Sequence, residues 1–520
     1  GGWGPPLAEN EPRYNNVKNY FKTGFYQKYD LSLSGGSEKF QAYASANYSR
    51  NDGIVPKDYL DKIGVMLKGT YEINKKLSAT LMANMVNSSY RGAGSISSIY
   101  SWPINDDIRI YKTGEGKPRY RYISENKKEN SPISPLWSRY MDYGLNSSTR
   151  NLLQGSLEYK PFKNFNIIGR VSLDQNNYSY DGYAVPRFDD SVILPNPPTS
   201  EDYPDPEVLA QKTAEYNAYY NSVPYFNEKD ISSVNKDLFG NYSYSQSKRQ
   251  LITTNVVATY NIPLPKDFTV EILAGGEMKI NKSTASSIKG RDFIVPGTYS
   301  ISNVSEIVGV NDVSLNHREN RNAGIFGELR GDYKGLLNLS VTSRWDWSST
   351  LTLKYNPYYY PSVTGGIVFS ELFHLANDWF SYGKLRGNWA KVGKDVASPY
   401  LFDRKYTQYP TLPDGGYGAD PTLSVASVLK PEMNNSWEIG LDTRFFNNKT
   451  RLDIAYYSTT VDNQIVTVRV TPTWGYILQT RNEGSIRNEG FEFTLDQDLL
   501  KNKNLSWTAG LNFGLNRGKV

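Results

Sequence analysis

The sequence predicts an all-β chain that crosses a bilayer as an antiparallel β-barrel. Three observations predict it. Apolar and polar residues alternate along about sixteen segments spread over the whole chain. The connections between those segments are short at one end and mostly long and polar at the other. No apolar run is long and uninterrupted enough for a spanning helix, in keeping with a mean hydropathy of -0.57. A bilayer offers no partner to a bare peptide group, so only helices and closed barrels cross it. A barrel strand needs roughly 9 to 11 residues, with apolar side chains only at every second position.

The strands fall near 27–34, 40–50, 61–73, 77–89, 149–160, 165–177, 249–261, 268–280, 321–333, 336–347, 359–369, 380–392, 435–446, 451–467, 484–498 and 504–516. In the last, Leu505, Trp507, Ala509, Leu511, Phe513 and Leu515 are expected to face lipid, and Ser506, Thr508, Gly510, Asn512 and Gly514 the lumen. Val270, Ile272, Ala274, Gly276 and Met278 repeat the pattern, as do Leu337, Leu339, Val341, Ser343 and Trp345.

Eight hairpins result. Their short turns carry Gly, Asn, Lys and Pro, as at Gly35-Gly36-Ser37, Asn74-Lys75-Lys76, Lys334-Gly335 and Asn447-Asn448-Lys449. The turn from Glu371 to Trp379 reads as one helical turn. Residues 1–26 lead into the barrel, and 27–520 form the barrel portion with long loops near 90–148, 178–248, 281–320 and 393–434. Loops far longer than about 4 to 6 residues on one side point to function on that side. One loop carries a helix: Asp205 caps it, Pro206 suits its first position, Leu209, Thr213, Tyr216 and Tyr220 follow at helical spacing, and Pro224 stops it.

Composition narrows the function. Forty-one Tyr, ten Trp and twenty Phe supply the aromatic girdles of a barrel. With no Cys, thiolate metal sites and cysteine nucleophiles are excluded. The net charge of +5 is spread over 58 basic and 53 acidic residues without a basic block, so nucleic acid is not an expected partner. His317 and His374 lie several strands apart without paired acids nearby in sequence, so no metal site, cofactor or Ser-His-Asp arrangement is expected, and no enzymatic activity. The cluster from Asp414 to Asp420 reads as a solvated turn rather than a phosphate cradle or calcium loop. Acid-rich Glu201 to Glu207 reads as a loop edge. The loop aromatics Tyr100, Trp102, Trp137, Tyr219, Tyr220 and Trp474 are the candidate contacts for substrate or partner. Flat rings stack on sugars and anchor protein interfaces, although loop packing uses the same residues.

Several stretches are more specific. Leu429-Lys430-Pro431-Glu432-Met433-Asn434-Asn435-Ser436-Trp437-Glu438-Ile439-Gly440-Leu441-Asp442, continued by Phe445 to Lys449 and Tyr456 to Thr460, resembles a hallmark of the SusC/RagA family of TonB-dependent outer-membrane transporters. So do Leu31 to Gly36 with Tyr43-Ala44-Ser45 and Gly53-Ile54, Asn482 to Glu492, and Arg344-Trp345-Asp346-Trp347-Ser348-Ser349, where the tryptophans at 345 and 347 are less usual.

The resemblance implies an integral protein of the Gram-negative outer membrane that imports a large nutrient, an oligosaccharide ahead of a peptide. It further implies a SusD-like surface lipoprotein as a lid, energy delivered by TonB, and an assembly of two transporter and lid pairs. Such proteins carry an N-terminal plug and close about twenty-two strands. Neither a plug nor the full strand set is visible here, so the chain is expected to be an internal portion, with the TonB-engaging region outside it. A passive porin or surface scaffold is the alternative reading, and a soluble β-rich carbohydrate-binding protein or glycosidase a more distant one.

Overall fold

The computed structural model describes residues 10–92, 96–100, 102–112, 134–186, 193–194, 198–222, 226–227, 240–265, 267–295, 297–307, 313–395, 399, 401, 406–408, 417–419, 423–425 and 429–520. Sixteen long strands follow in chain order: β1 (Phe25–Gly36), β2 (Phe40–Asp52), β3 (Tyr59–Asn74), β4 (Leu77–Arg91), β5 (Tyr143–Tyr159), β6 (Phe165–Ala184), β7 (Asn241–Ile262), β8 (Phe268–Phe293), β9 (Val313–Tyr333), β10 (Leu337–Ser348), β11 (Tyr358–Ile367), β12 (Phe380–Lys394), β13 (Glu432–Phe445), β14 (Thr450–Asp462), β15 (Ile486–Lys501) and β16 (Ser506–Lys519). Each pairs antiparallel with the next, so one continuous meander forms the barrel wall. A short strand, Val304–Ile307, adds to β8 and completes a seventeen-stranded sheet.

The two faces of this sheet are inverted relative to a water-soluble protein. Along β10, Leu337, Leu339, Val341 and Trp345 are exposed while Asn338, Ser340, Thr342 and Arg344 are half-buried. Leu33 on β1 is 74% exposed and Leu81 on β4 is 71% exposed. A sandwich would cover such rows with a second sheet, whereas a barrel turns them to lipid. Opposed residues share a face, so Val341 beside Leu329 and Trp345 beside Ile325 continue the apolar row onto β9. The outward rows expected for 270–278 and 337–345 are present, and on the fully exposed edge strand β16 the register sets Leu511, Phe513 and Leu515 beside Leu495, Phe493 and Phe491.

The short turns form as expected. Lys334 and Gly335 take left-handed φ of 55° and 71°, and Asn447 and Asn448 take 56° and 65°, a region in which Gly and Asn are least penalised. The helical turn expected between β11 and β12 sits slightly earlier, at Phe369–Leu372.

Strand ends differ more. The loop expected over 281–320 is largely sheet, because β8 runs to Phe293 and pairs with β9 as far as Ile288 opposite Val313. Ladder hydrogen bonds do not require apolar side chains, and a sheet wetted on both faces loses the hydrophobic signal while keeping its pairing. At roughly 3.3 Å per residue, the 26 residues of β8 reach far beyond a bilayer. In the same way β5 starts at Tyr143, β6 continues to Ala184 and β7 starts at Asn241. The strand expected over 451–467 is broken at Asn463, whose φ is 57°. Beyond it Ile465–Arg469 leaves the wall and pairs with Leu478–Asn482, which Leu423–Val425 joins on its other side.

Candidate functional site

The inner wall is built from the half-buried positions of the same strands. Arg344 on β10 donates through Nε to Asp346 Oδ1 at 2.7 Å and through Nη2 to Glu277 Oε1 on β8 at 3.1 Å. Lys279 lies 2.8 Å from the same Glu277 oxygen, and the Tyr360 hydroxyl of β11 donates to the other Asp346 oxygen. Gly324 on β9 makes room for this cluster: a Cβ there would lie 2.1 Å from Asp346 Oδ1.

Further round, Arg386 on β12 holds Asp453 on β14 with two hydrogen bonds of 2.6 and 2.9 Å. Arg150 and Asp174 form another bidentate pair between β5 and β6. Such two-pronged contacts fix the direction of each charge. They leave the lumen lined with oriented donors and acceptors, suited to a polar solute or a polar protein surface.

The long-loop end carries the buried apolar clusters. In one, Tyr20 from helix α1 (Asn16–Tyr20) packs with Val55, Ile99, Trp102, Ile108 and Leu136. Asn16 ties it together: its Nδ2 donates to the carbonyls of Pro103 and Asp106, and its Oδ1 accepts from the Ile108 amide at 3.1 Å. Arg91 donates to the carbonyls of Ser138, Arg139 and Asp142, which closes the C-terminal end of helix α3 (Pro135–Met141). Burial pushes the Tyr20 phenol up from its ordinary value. In the second cluster Leu429, fully buried, packs with Leu351 and Tyr358.

Of the predicted contact residues, Tyr100, Trp102 and Trp137 have described side chains. Tyr100 ends helix α2 (Ser97–Tyr100) and is 67% exposed. Trp102 and Trp137 are only 5% and 3% exposed, so their rings pack inside the long-loop end and offer no free face for stacking. Tyr219 and Tyr220 fall on helix α4 (Pro206–Ser222), and Trp474 ends the turn Pro472–Trp474, with all three side chains outside the described set. The Asp205 carboxylate accepts from the Glu207 amide at 2.9 Å and caps α4 as expected. The cluster from Asp414 to Asp420 lies mostly outside the described residues. Among the described residues no group of three or more His, Asp or Glu is placed to hold a metal ion, and His317 instead meets the Thr284 hydroxyl at 3.1 Å.

Sequence reasoning did not single out the charged inner wall as a site. Its signal was available, since Arg344 and Asp346, like Glu277 and Lys279, occupy alternate positions on the face opposite the apolar row.

The family model described as TonB dependent receptor-like, beta-barrel matches residues 101–519. The chain belongs to that family. TonB-dependent receptor P3 of Formosa agariphila is 22% identical over 521 residues, covering 96% of this chain and 46% of its own length. SusC of Bacteroides thetaiotaomicron is 27% identical over 204 residues, 38% of this chain and 20% of SusC. A solved structure of the RagAB peptide transporter superposes with a TM-score of 0.75 at 18% identity, covering 98% of this chain and 52% of the RagAB chain. At that identity the likeness speaks for the fold. The resemblance expected from residues 429–442 and 482–492 is thus matched by sequence similarity to SusC over part of the chain and by fold similarity to the RagAB chain. The chain spans about half the length of the curated relatives that it matches over most of its own length.

Within this family the quoted motifs have visible work. Lys430 donates its amide to Asn482 Oδ1 at 2.7 Å, and Asn482 Nδ2 returns a bond to the Lys430 carbonyl. Glu432 accepts from the Ile465 amide at 2.8 Å. The hallmark residues thus staple the loops to the barrel rim.

Proposed function

We propose that this chain forms the barrel wall of an outer-membrane importer of the SusC type. It takes up an oligosaccharide or a peptide together with a SusD-like surface lipoprotein, and TonB energises the step through a region outside this sequence. The observation that carries this reading is the combination of a lipid-facing apolar band with a lumen lined by oriented ion pairs. A polar inner wall suits passage of a hydrated cargo and the seating of a polar plug.

The concentration of long connections at one end supports capture there, with the SusD-like partner covering them. Residues 1–26 serve as the lead-in segment and 27–520 as barrel. The peptide cargo of RagAB lends support to a peptide, and the loop aromatics Tyr100, Tyr219, Tyr220 and Trp474 remain the contacts we assign to cargo or lid. The chain has no catalytic role in this scheme, and two transporter and lid pairs associate in an integral assembly of the Gram-negative outer membrane.

The test is uptake by cells that express the full-length protein. Import of labelled oligosaccharide or peptide that stops when the proton gradient is collapsed supports the importer. Import that continues unchanged identifies a passive porin, and absence of uptake together with retained partner binding identifies a scaffold. Mild detergent extraction followed by mass spectrometry identifies any lipoprotein that co-purifies.

A further inference from the structure

Above the lipid band the outward face of β5 to β9 changes chemistry along a sharp line. Leu153, Val171, Val256, Met278 and Ile325 lie on the exposed apolar side. The next outward row is polar: Gln250 Nε2 donates to Gln175 Oε1 at 2.7 Å, and Glu319 lies between Lys282 at 3.4 Å and Arg321 at 2.7 Å. Higher still, a groove of about 570 Å³ opens, lined by hydroxyls, amides, the Tyr244 ring and Lys248.

Register fixes its direction. Asn177 opposes Thr149 and Lys248, and Lys248 opposes Thr284. Lys248 stands an even number of residues from Val256, and Thr284 an even number from Met278, so the groove faces outward like the apolar band and away from the lumen. Ser147, Ser179, Tyr244, Gln246 and Lys248 line it without a side-chain hydrogen bond or ion pair among the described residues.

We propose that this groove seats the phosphorylated saccharide headgroup of an outer-leaflet glycolipid whose acyl chains lie along the band below. The inference rests on the outer-membrane reading above. Continuity with the lipid face selects the occupant, because a ligand here shares a surface with the bilayer and not with the transport path. Unpaired hydroxyls and amides match a polyhydroxylated headgroup. Lys248, which makes no ion pair among the described residues, matches phosphate charge.

The experiment uses the full-length protein, stripped of lipid in detergent and returned to nanodiscs containing purified lipopolysaccharide or phosphatidylglycerol. Native mass spectrometry then counts the lipids retained as detergent is raised. The wild type is expected to keep lipopolysaccharide in preference to phosphatidylglycerol. Lys248→Glu combined with Tyr244→Ala should lower that retention about tenfold and leave phosphatidylglycerol unchanged. Lys248→Gln, a milder change at an exposed position, should give a smaller loss in the same direction.

Equal retention by wild type and variants, or equal retention of the two lipids, overturns the inference. Heat-modifiable gel mobility confirms that each variant is folded. Alkaline extraction of native membranes separates the two readings: a chain released from the membrane defeats both, whereas an integral chain indifferent to Lys248 defeats the groove alone.

Discussion

The Ser348 hydroxyl donates to Asp395 Oδ2 at 2.6 Å, which joins the outer end of β10 to the residue that follows β12. The same oxygen accepts from Asn322 Nδ2 at 2.9 Å on β9 and from the Thr350 hydroxyl at 3.4 Å. Ser348 and Thr350 are buried and their hydroxyls lie 2.9 Å apart, so removing Asp395 leaves one of the two hydroxyl protons without an acceptor, away from water. Asp395→Ala should therefore destabilise the barrel by about 1–3 kcal/mol, and Asp395→Asn by less because the amide oxygen still accepts. Urea unfolding of the full-length protein in detergent, followed by tryptophan fluorescence, measures the difference.

Adjacent residues on β6 should respond oppositely to the same charge. Val171 is 54% exposed within the apolar band, while Ser172 faces the lumen with Asp174 two positions along. Val171→Arg should cost about 2–4 kcal/mol in lipid vesicles, the penalty for a guanidinium near the bilayer midplane. Ser172→Arg should stay within about 1 kcal/mol of wild type, since the lumen is wet and screens the added charge. Equal costs for the two variants would mean that the faces have been assigned wrongly.

The wall was legible in the sequence because its chemistry is periodic. Leu339, Val341 and Trp345 announce both the strand and its lipid face, and all sixteen long strands were placed from that signal. Where the pattern becomes Ser, Thr, Lys and Asn, as in residues 281–293, pairing continues but the apolar marker is gone, so sheet was read as loop. The candidate contacts were less legible. An aromatic loop residue looks the same whether it stacks on cargo or fills a core, and only folding shows that Tyr100 is exposed while Trp102, two residues on, is buried. The lumenal ion pairs join residues as distant as Glu277 and Arg344, and strand register is the missing step that brings them together.

Gly440 should be intolerant of branching. A Cβ at this position would lie 2.5 Å from Arg386 Cζ and Nε, inside the guanidinium that holds Asp453. Gly440→Val should displace Arg386 and remove a pair that is worth about 1 kcal/mol in a wet lumen. The assignment is checked by a double-mutant cycle: Gly440→Val should cost less in an Arg386→Met background than in the wild type. Additive effects would show that the glycine serves some other need.

Asn16 should control how firmly the long-loop end is held. Its side chain is 5% exposed and makes three hydrogen bonds to the backbone of residues 103–108, which follows the buried Trp102 and ends at the buried Ile108. Asn16→Ala leaves the Pro103 and Asp106 carbonyls and the Ile108 amide without that partner, a local cost of about 1–3 kcal/mol. Packing of Tyr20 against Val55 and Leu136 remains, so the barrel itself should keep its stability. Hydrogen exchange followed by mass spectrometry separates the two effects. The Ile108 region should exchange about 5- to 150-fold faster, while strands β3 and β4 beneath it keep their wild-type rates. Uniformly faster exchange along those strands would instead make the Asn16 contact part of the barrel's global folding unit.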